Sequence, residues 1–353
     1  QKGSINSETR AAARSGITTL CSTPNSNPVV DSATLASLIQ DKAQQAGFCN
    51  VLPIGALTAG LKGEQLSNMF ALKEAGCVAL SNLDSAFKDM RVAQQCYHYA
   101  AGFDIKVFVT PLDQALAHGG CMHEGPTSTK LGLAGISLSA ETASLAQHLI
   151  LCEESGISLH FSRITSARAL EMIIEAQSRG LAVSADVAIG NLIFTDEDCL
   201  AYDSLQHVTP AYRSETDRQA LLKAVNLGQV GICSNHRPHE LAAKMAPFAA
   251  AEAGISVLDS FAGALISLVK SDQLTLEAAI KAVTATQAKV LNQPLGQLAI
   301  GSRADLCIID MNASSQVNTE NMASTGQNNP WLGISLPGKV VTTINGGHIV
   351  YQA

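Results

Sequence analysis

Chemistry has few places to sit in this sequence. Seven apolar, β-rich runs each end in a short polar cluster: Thr23-Pro24-Asn25, Thr58, Ser81-Asn82-Leu83, Thr110-Pro111, Ser162-Arg163, Ala188-Ile189-Gly190-Asn191 and Asn235-His236-Arg237-Pro238-His239. Only the last holds histidines, and the one carboxylate close to any of these ends is Asp84. A hydrolytic zinc centre needs neutral imidazoles and carboxylates, both to hold the metal and to lower the pKa of its water. That donor set is missing here. What remains is amides at Asn25, Asn82 and Asn235, a hydroxyl at Thr110 and a fixed positive charge at Arg163. Asp84 could replace a lost ligand, and Arg163 could either contact an anion or pair with a neighbouring carboxylate. His160 reads as a core histidine bonded to backbone. His123-Glu124 lies in a loop without a third donor at helical spacing and reads as structural. Cys233, inside the last run, reads as core, since nothing near it in sequence would lower its pKa.

The elements that must position these ends alternate along the chain. Strands are expected at 17–23, 51–58, 77–82, 105–110, 157–162, 182–187 and 230–235, most of them continuous in apolar or small residues, as parallel strands covered on both faces are. Between them, helical patterns run over 32–46, 64–75, 88–101, 141–155, 166–179 and 215–227. Glycines at 47, 76, 102, 156, 180 and 228 supply the stops. Such repetition means a parallel α/β architecture. No G-x-G-x-x-G follows a strand, which weakens a doubly wound dinucleotide fold and leaves the (β/α)8 barrel. Seven strands are counted where the barrel has eight, so the first is expected upstream of Gln1. Residues 256–291 read as two further helices. Runs at 305–309 and 339–351, the latter with an Asn-Gly-Gly turn at 345–347, read as antiparallel strands. The stretch 312–329, rich in Asn, Ser, Thr and Gln, reads as a solvated loop. The expected division is therefore a barrel over 1–293 and, over 294–353, a β-rich segment of a small composite sandwich domain.

Composition narrows the classes. The 353 residues are 46% hydrophobic and 15% charged, too apolar for a disordered chain. A net charge of −7 (30 acidic, 23 basic) argues against a nucleic-acid partner, which calls for a basic face. No apolar run is long enough to span a bilayer. The nine cysteines are odd in number, form no C-x-x-C and sit mostly in apolar stretches, as reduced thiols in a cytoplasm would.

Longer motifs add a family. Ala11–Asp31 (AAARSGITTLCSTPNSNPVVD), Met122–Gly135 (MHEGPTSTKLGLAG), His160–Ala169, Asn235–His239, Gly296–Asp310 (GQLAIGSRADLCIID) and Gly338–Tyr351 together resemble the dihydroorotases of the amidohydrolase superfamily. The resemblance implies the barrel fold and a role in pyrimidine biosynthesis. It also implies a metal set: a His-x-His on the first strand, an Asp or carboxylated Lys after the fourth, a His after the fifth, a His after the sixth and an Asp after the eighth. On this chain the fourth-strand position falls on Asn82 or Leu83, the fifth on Thr110, the sixth on Arg163, and the eighth, the family's catalytic Asp, on Asn235. The His-x-His position falls before Gln1. Asn25 and His239 match family positions that hold the substrate carboxylate, so Asn25, Arg163 and His239 are the vestigial substrate-binding candidates. The resemblance therefore points to a non-catalytic dihydroorotase-like subunit, with no cofactor expected and the catalytic chain of aspartate transcarbamoylase as partner in a homo- or hetero-oligomer. Two alternatives stand beside it: an active zinc-dependent dihydroorotase, or a regulator that binds an anionic metabolite.

Overall fold

The computed structural model of the chain describes residues 2–353. Seven parallel strands form one curled sheet: β1 (Thr19–Ser22), β2 (Asn50–Ala56), β3 (Ala79–Ser81), β4 (Val107–Val109), β7 (Leu159–Phe161), β8 (Val183–Ala188) and β9 (Gly231–Cys233). Between β4 and β7 a small parallel pair is inserted, β5 (Met122–His123) and β6 (Gly135–Ile136). The seven strands lie side by side in chain order. A doubly wound sheet would reverse its order at a switch point, so strict succession is the barrel arrangement. All seven expected strands are present. They are short and largely buried: every residue of β3 and β7 is buried, with Leu80, Leu159 and Phe161 at 0% exposure.

Helices α1 (Ile5–Arg14), α2 (Ala33–Ala46), α3 (Met69–Glu74), α4 (Met90–Gly102), α5 (Gln114–Ala117), α6 (Pro126–Leu131), α7 (Leu138–Ser155), α8 (Ala167–Ser178), α9 (Ile189–Ile193) and α10 (Glu215–Asn226) alternate with the strands. α7, α8 and α10 start on serines 137, 166 and 214, whose hydroxyls accept the N–H three residues on. Gly47 and Gly156 close α2 and α7 in the left-handed conformation, as expected of those stops. Gly102 does not. It stays inside α4, and Asp104 takes the left-handed turn at φ 51° instead. The third helix begins at Met69 rather than 64, because residues before it bond back to the sheet, Ser67 Oγ donating to Ala56 O at 2.6 Å. Residues 256–291 hold three α-helices, not two: α11 (Phe261–Lys270), α12 (Leu276–Val283) and α13 (Ala285–Val290), the last two divided at Thr284.

β1 and β9 are the outer strands of the sheet, and no ladder joins them among the described residues. Side chains bridge the gap instead. Glu8 on α1 accepts from His236 Nε2 at 2.8 Å and from Ser324 Oγ at 2.6 Å.

The C-terminal strands β10 (Leu306–Gln316), β11 (Ser335–Asn345) and β12 (His348–Gln352) form an antiparallel sheet. The expectation of a solvated loop over 312–329 holds only in part: residues 319–321 are exposed, but the stretch begins in a strand and ends in the interior. β10 runs on to Gln316, and Asn328 and Asn329 are completely buried. Asn328 accepts the His239 N–H and donates to Arg237 O and Gly254 O, while Trp331 packs against Phe194 with ring centroids 5.4 Å apart. At Asn328 the polar side chain serves internal backbone groups rather than water.

Candidate functional site

The strand ends converge on one guanidinium. Arg163, just beyond β7, is 7% exposed. Its Nη2 donates to Asp84 Oδ1 at 2.6 Å and to Thr110 Oγ1, and its Nη1 donates to Asn235 Oδ1 at 3.2 Å. Asp84 offers its other oxygen, Oδ2, to Arg237. Burial alone would raise the Asp84 carboxyl, but the two guanidiniums outweigh it and hold the group below the usual carboxylate range. Arg163 and Asn235 carry φ of 61° and 48°, and Leu83, beside Asp84, carries 51°. Left-handed backbone at three non-glycine positions around one cluster is strain concentrated where the side chains must meet.

Beneath this knot lies a second buried layer. His160, inaccessible to solvent, spans Ser184 Oγ (2.9 Å from Nδ1) and Asp186 Oδ2 (3.0 Å from Nε2). It is a core histidine held by side chains, not by backbone as expected. Asp186 Oδ1 also accepts the Arg163 N–H at 2.6 Å. Burial pushes the Asp186 carboxyl up, and the His160 and Arg163 hydrogen bonds bring it below its ordinary value. Cys233 is pushed up by burial and by Asp186, so it is no thiolate.

The other candidates go elsewhere. Asn82, at 4% exposure, accepts from Thr58 Oγ1 at 2.6 Å and donates to Ser85 O at 3.2 Å, which pins the loop that carries Asp84. Asn25 is exposed and its Oδ1 accepts from Thr23 Oγ1 at 2.8 Å. His239 is buried with Nε2 on Ala253 O at 3.1 Å. Asn25, Arg163 and His239 share no hydrogen bond. His123 Nδ1 meets Arg213 Nη1 at 3.1 Å, in a structural network with Ile136 O. The sequence reading singled out neither Asp186 nor Arg237. Asp186 had one signal, a carboxylate inside an otherwise apolar strand; Arg237 had only its place in the final polar cluster.

These residues do not fit a zinc ion. A guanidinium, a hydroxyl and two amides offer no metal donor of the required kind, and the one carboxylate is already shared by two arginines. No three His, Cys, Asp or Glu side chains among the described residues converge as a metal cage would require. General-base chemistry is equally poorly served, because an amide and a guanidinium take no proton near pH 7 and Asp84 is held ionised by its partners. The knot depends on its supporting loop. Gly63 (φ 68°) accepts from Lys88 N and donates to Thr58 Oγ1, and a Cβ there would collide with Ala86 O. Gly63→Ala is expected to lower stability by about 2 kcal/mol or more in urea unfolding.

Comparisons with known proteins bear on family and fold. Residues 1–169 match the family described as "Dihydro-orotase-like", and residues 260–351 match the "Amidohydrolase family". A "Dihydroorotase-like protein" of Pseudomonas aeruginosa is 46% identical over 353 residues, covering 100% of this chain and 83% of its own length. A protein of the same description from Pseudomonas putida is 44% identical over 99% of the chain, again 83% of its own length. A "Dihydroorotase" of Pelobacter propionicus is 34% identical over 99% of the chain and 83% of its own length. Among solved structures, an L-hydantoinase from Arthrobacter aurescens superposes with a TM-score of 0.87 at 21% identity, over 99% of this chain and 80% of that one; it speaks for the fold alone.

Proposed function

From the premise that this chain belongs to the dihydroorotase-like family of pyrimidine biosynthesis, we propose that it is a member without catalysis, acting as a structural or regulatory subunit with aspartate transcarbamoylase. One observation carries the first half: the Arg163 guanidinium lies among Asp84, Thr110 and Asn235, where the family's metal ligands would face each other. A fixed cation there repels a dication and cannot generate hydroxide. The second half rests on the resemblance to the family's non-catalytic subgroup. A barrel whose mouth is closed still offers rigid outer helices to another chain.

The test has three readouts. After incubation with zinc and gel filtration, the protein should retain well under one equivalent of metal. Dihydroorotate should not be turned over, and Arg163→His with Asn235→Asp should not restore turnover, because Thr110 and Asn82 still lack ligand atoms. Mixed with an aspartate transcarbamoylase catalytic chain, the protein should co-purify through an interface of about 1,200–2,000 Å² or more. Chelator-sensitive turnover by the unmutated protein would sink the first half, and failure to co-purify would sink the second.

A further inference from the structure

A cavity of about 400 Å³ lies beneath the loop that carries Asp84, bounded by the residues after β3, those after β4 and the inner face of α7. That is at the small end of the ~300–1,000 Å³ typical of small-molecule pockets. Neither Arg163 nor Asn235 lines it. It adjoins the knot and shares Asp84 and Thr110 with it as a common wall.

Its inner wall holds one donor with no protein to satisfy it. His148, on α7, is 6% exposed and lines the cavity. Its Nδ1 lies 2.7 Å from the hydroxyl of Tyr97, itself at 0% exposure and without another partner among the described residues. A buried phenol must donate its proton, and Nδ1 is the acceptor within reach. That fixes the tautomer with the hydrogen on Nε2, for which no protein acceptor exists among the described residues. Burial pulls His148 down to about 4, so the ring is neutral at pH 7. Ser144, one helical turn before it and also 6% exposed, brings a second hydroxyl to the same wall. Phe87, packed on His148 with centroids 6.3 Å apart, adds a flat apolar surface. Around the wall the ionised groups are Asp84, which Arg163 and Arg237 neutralise from behind, and Asp89, Asp113 and Lys88, so little net charge faces a ligand and a neutral one suits it.

We propose that this cavity is a binding site for a neutral aromatic amide: a flat ring beside Phe87, its carbonyl accepting from His148 Nε2 and Ser144, its amide N–H groups turned toward Asp113. The site does not depend on the loss of catalysis proposed above, since it shares neither Arg163 nor Asn235.

Three isosteric probes decide it: nicotinamide, nicotinate and benzamidine, each titrated into the full chain by ligand-detected NMR. Nicotinamide should bind saturably, and more tightly than either charged probe by about tenfold, the worth of one misplaced hydrogen bond or charge. His148→Phe and Ser144→Leu should each weaken nicotinamide by about tenfold or more. Ser144→Leu fills the cavity while leaving the Tyr97–His148 pair intact, so it decides the matter if His148→Phe fails to fold. Three results would overturn the site: no saturable binding of nicotinamide, binding indifferent to Ser144→Leu, or a preference for benzamidine, which would mean that the acidic rim and not the His148 donor selects the ligand.

Discussion

Asp84→Ala is expected to be among the most damaging single substitutions in the protein, lowering the unfolding free energy by about 3–5 kcal/mol. Among the described residues the carboxylate is the one ion-pair partner of Arg163, whose side chain is 8% exposed, and it also holds Arg237, at 29%. Removing it leaves a charged guanidinium in a low-dielectric mouth with only Thr110 and Asn235 as partners. Arg163→Met should cost much less. It removes the cation together with its desolvation penalty, and Asp84 keeps its second, better-solvated partner in Arg237. The double variant should therefore be more stable than Asp84→Ala alone, with a coupling of about 2 kcal/mol or more. Urea midpoints at pH 7 with an unchanged slope measure all three. If Asp84→Ala cost under about 1 kcal/mol, within the range of exposed pairs, the mouth would be solvated and the picture of a closed, self-neutralised knot would fall.

The strands were legible because each is a nearly continuous apolar run, the pattern that burial on both faces imposes. Their neighbours in space were less so. Nothing in the spacing of Asp84, Thr110, Arg163 and Asn235 says that they meet; the strand order brings them together, and that order follows only once the barrel is accepted. Arg163 pairing with a carboxylate was open to sequence reasoning, because a buried cation needs one and Asp84 was the nearest to any strand end. Asp186 was harder to find. Its partners, the His160 ring and the Arg163 N–H, lie on and just beyond the adjacent strand, in a register that the sequence alone leaves free. Composition misled most at 312–329. Asparagine is enriched both where chain is solvated and where irregular backbone must be bonded internally, and Asn328, with three bonds to backbone, is the second kind. The reading of Gly102 as a stop failed for a related reason: glycine permits a left-handed turn without demanding one, and Asp104 takes it.

Acid should unfold this protein in two stages, and both have the same sign. The first involves histidines buried as neutral rings. His148 is drawn down to about 4, and His123, His207 and His239 are also lowered, each chiefly by burial. Below the ordinary histidine value of ~6.5 the unfolded chain takes up protons that the folded one refuses, so stability falls as pH falls. His148 alone should account for about 3 kcal/mol by pH 4. The second stage begins below about 4, where the unfolded carboxyls protonate. Asp84, Asp186 and Glu8 stay ionised in the fold because arginine and histidine partners outweigh their burial. Their contribution is complete above the unfolded value and is lost as pH drops through the lowered folded ones. Each fully transferred proton adds about 1.4 kcal/mol per pH unit to the slope, so these carboxyls extend the decline below pH 4. Urea midpoints taken from pH 7 to pH 3 should therefore descend through the histidine window and go on falling below pH 4. Asp186→Asn should reduce the fall below pH 4. A stability that held level to pH 3 would mean that neither the buried imidazoles nor the paired carboxylates are as sequestered as the hydrogen bonds around Arg163 and His160 require.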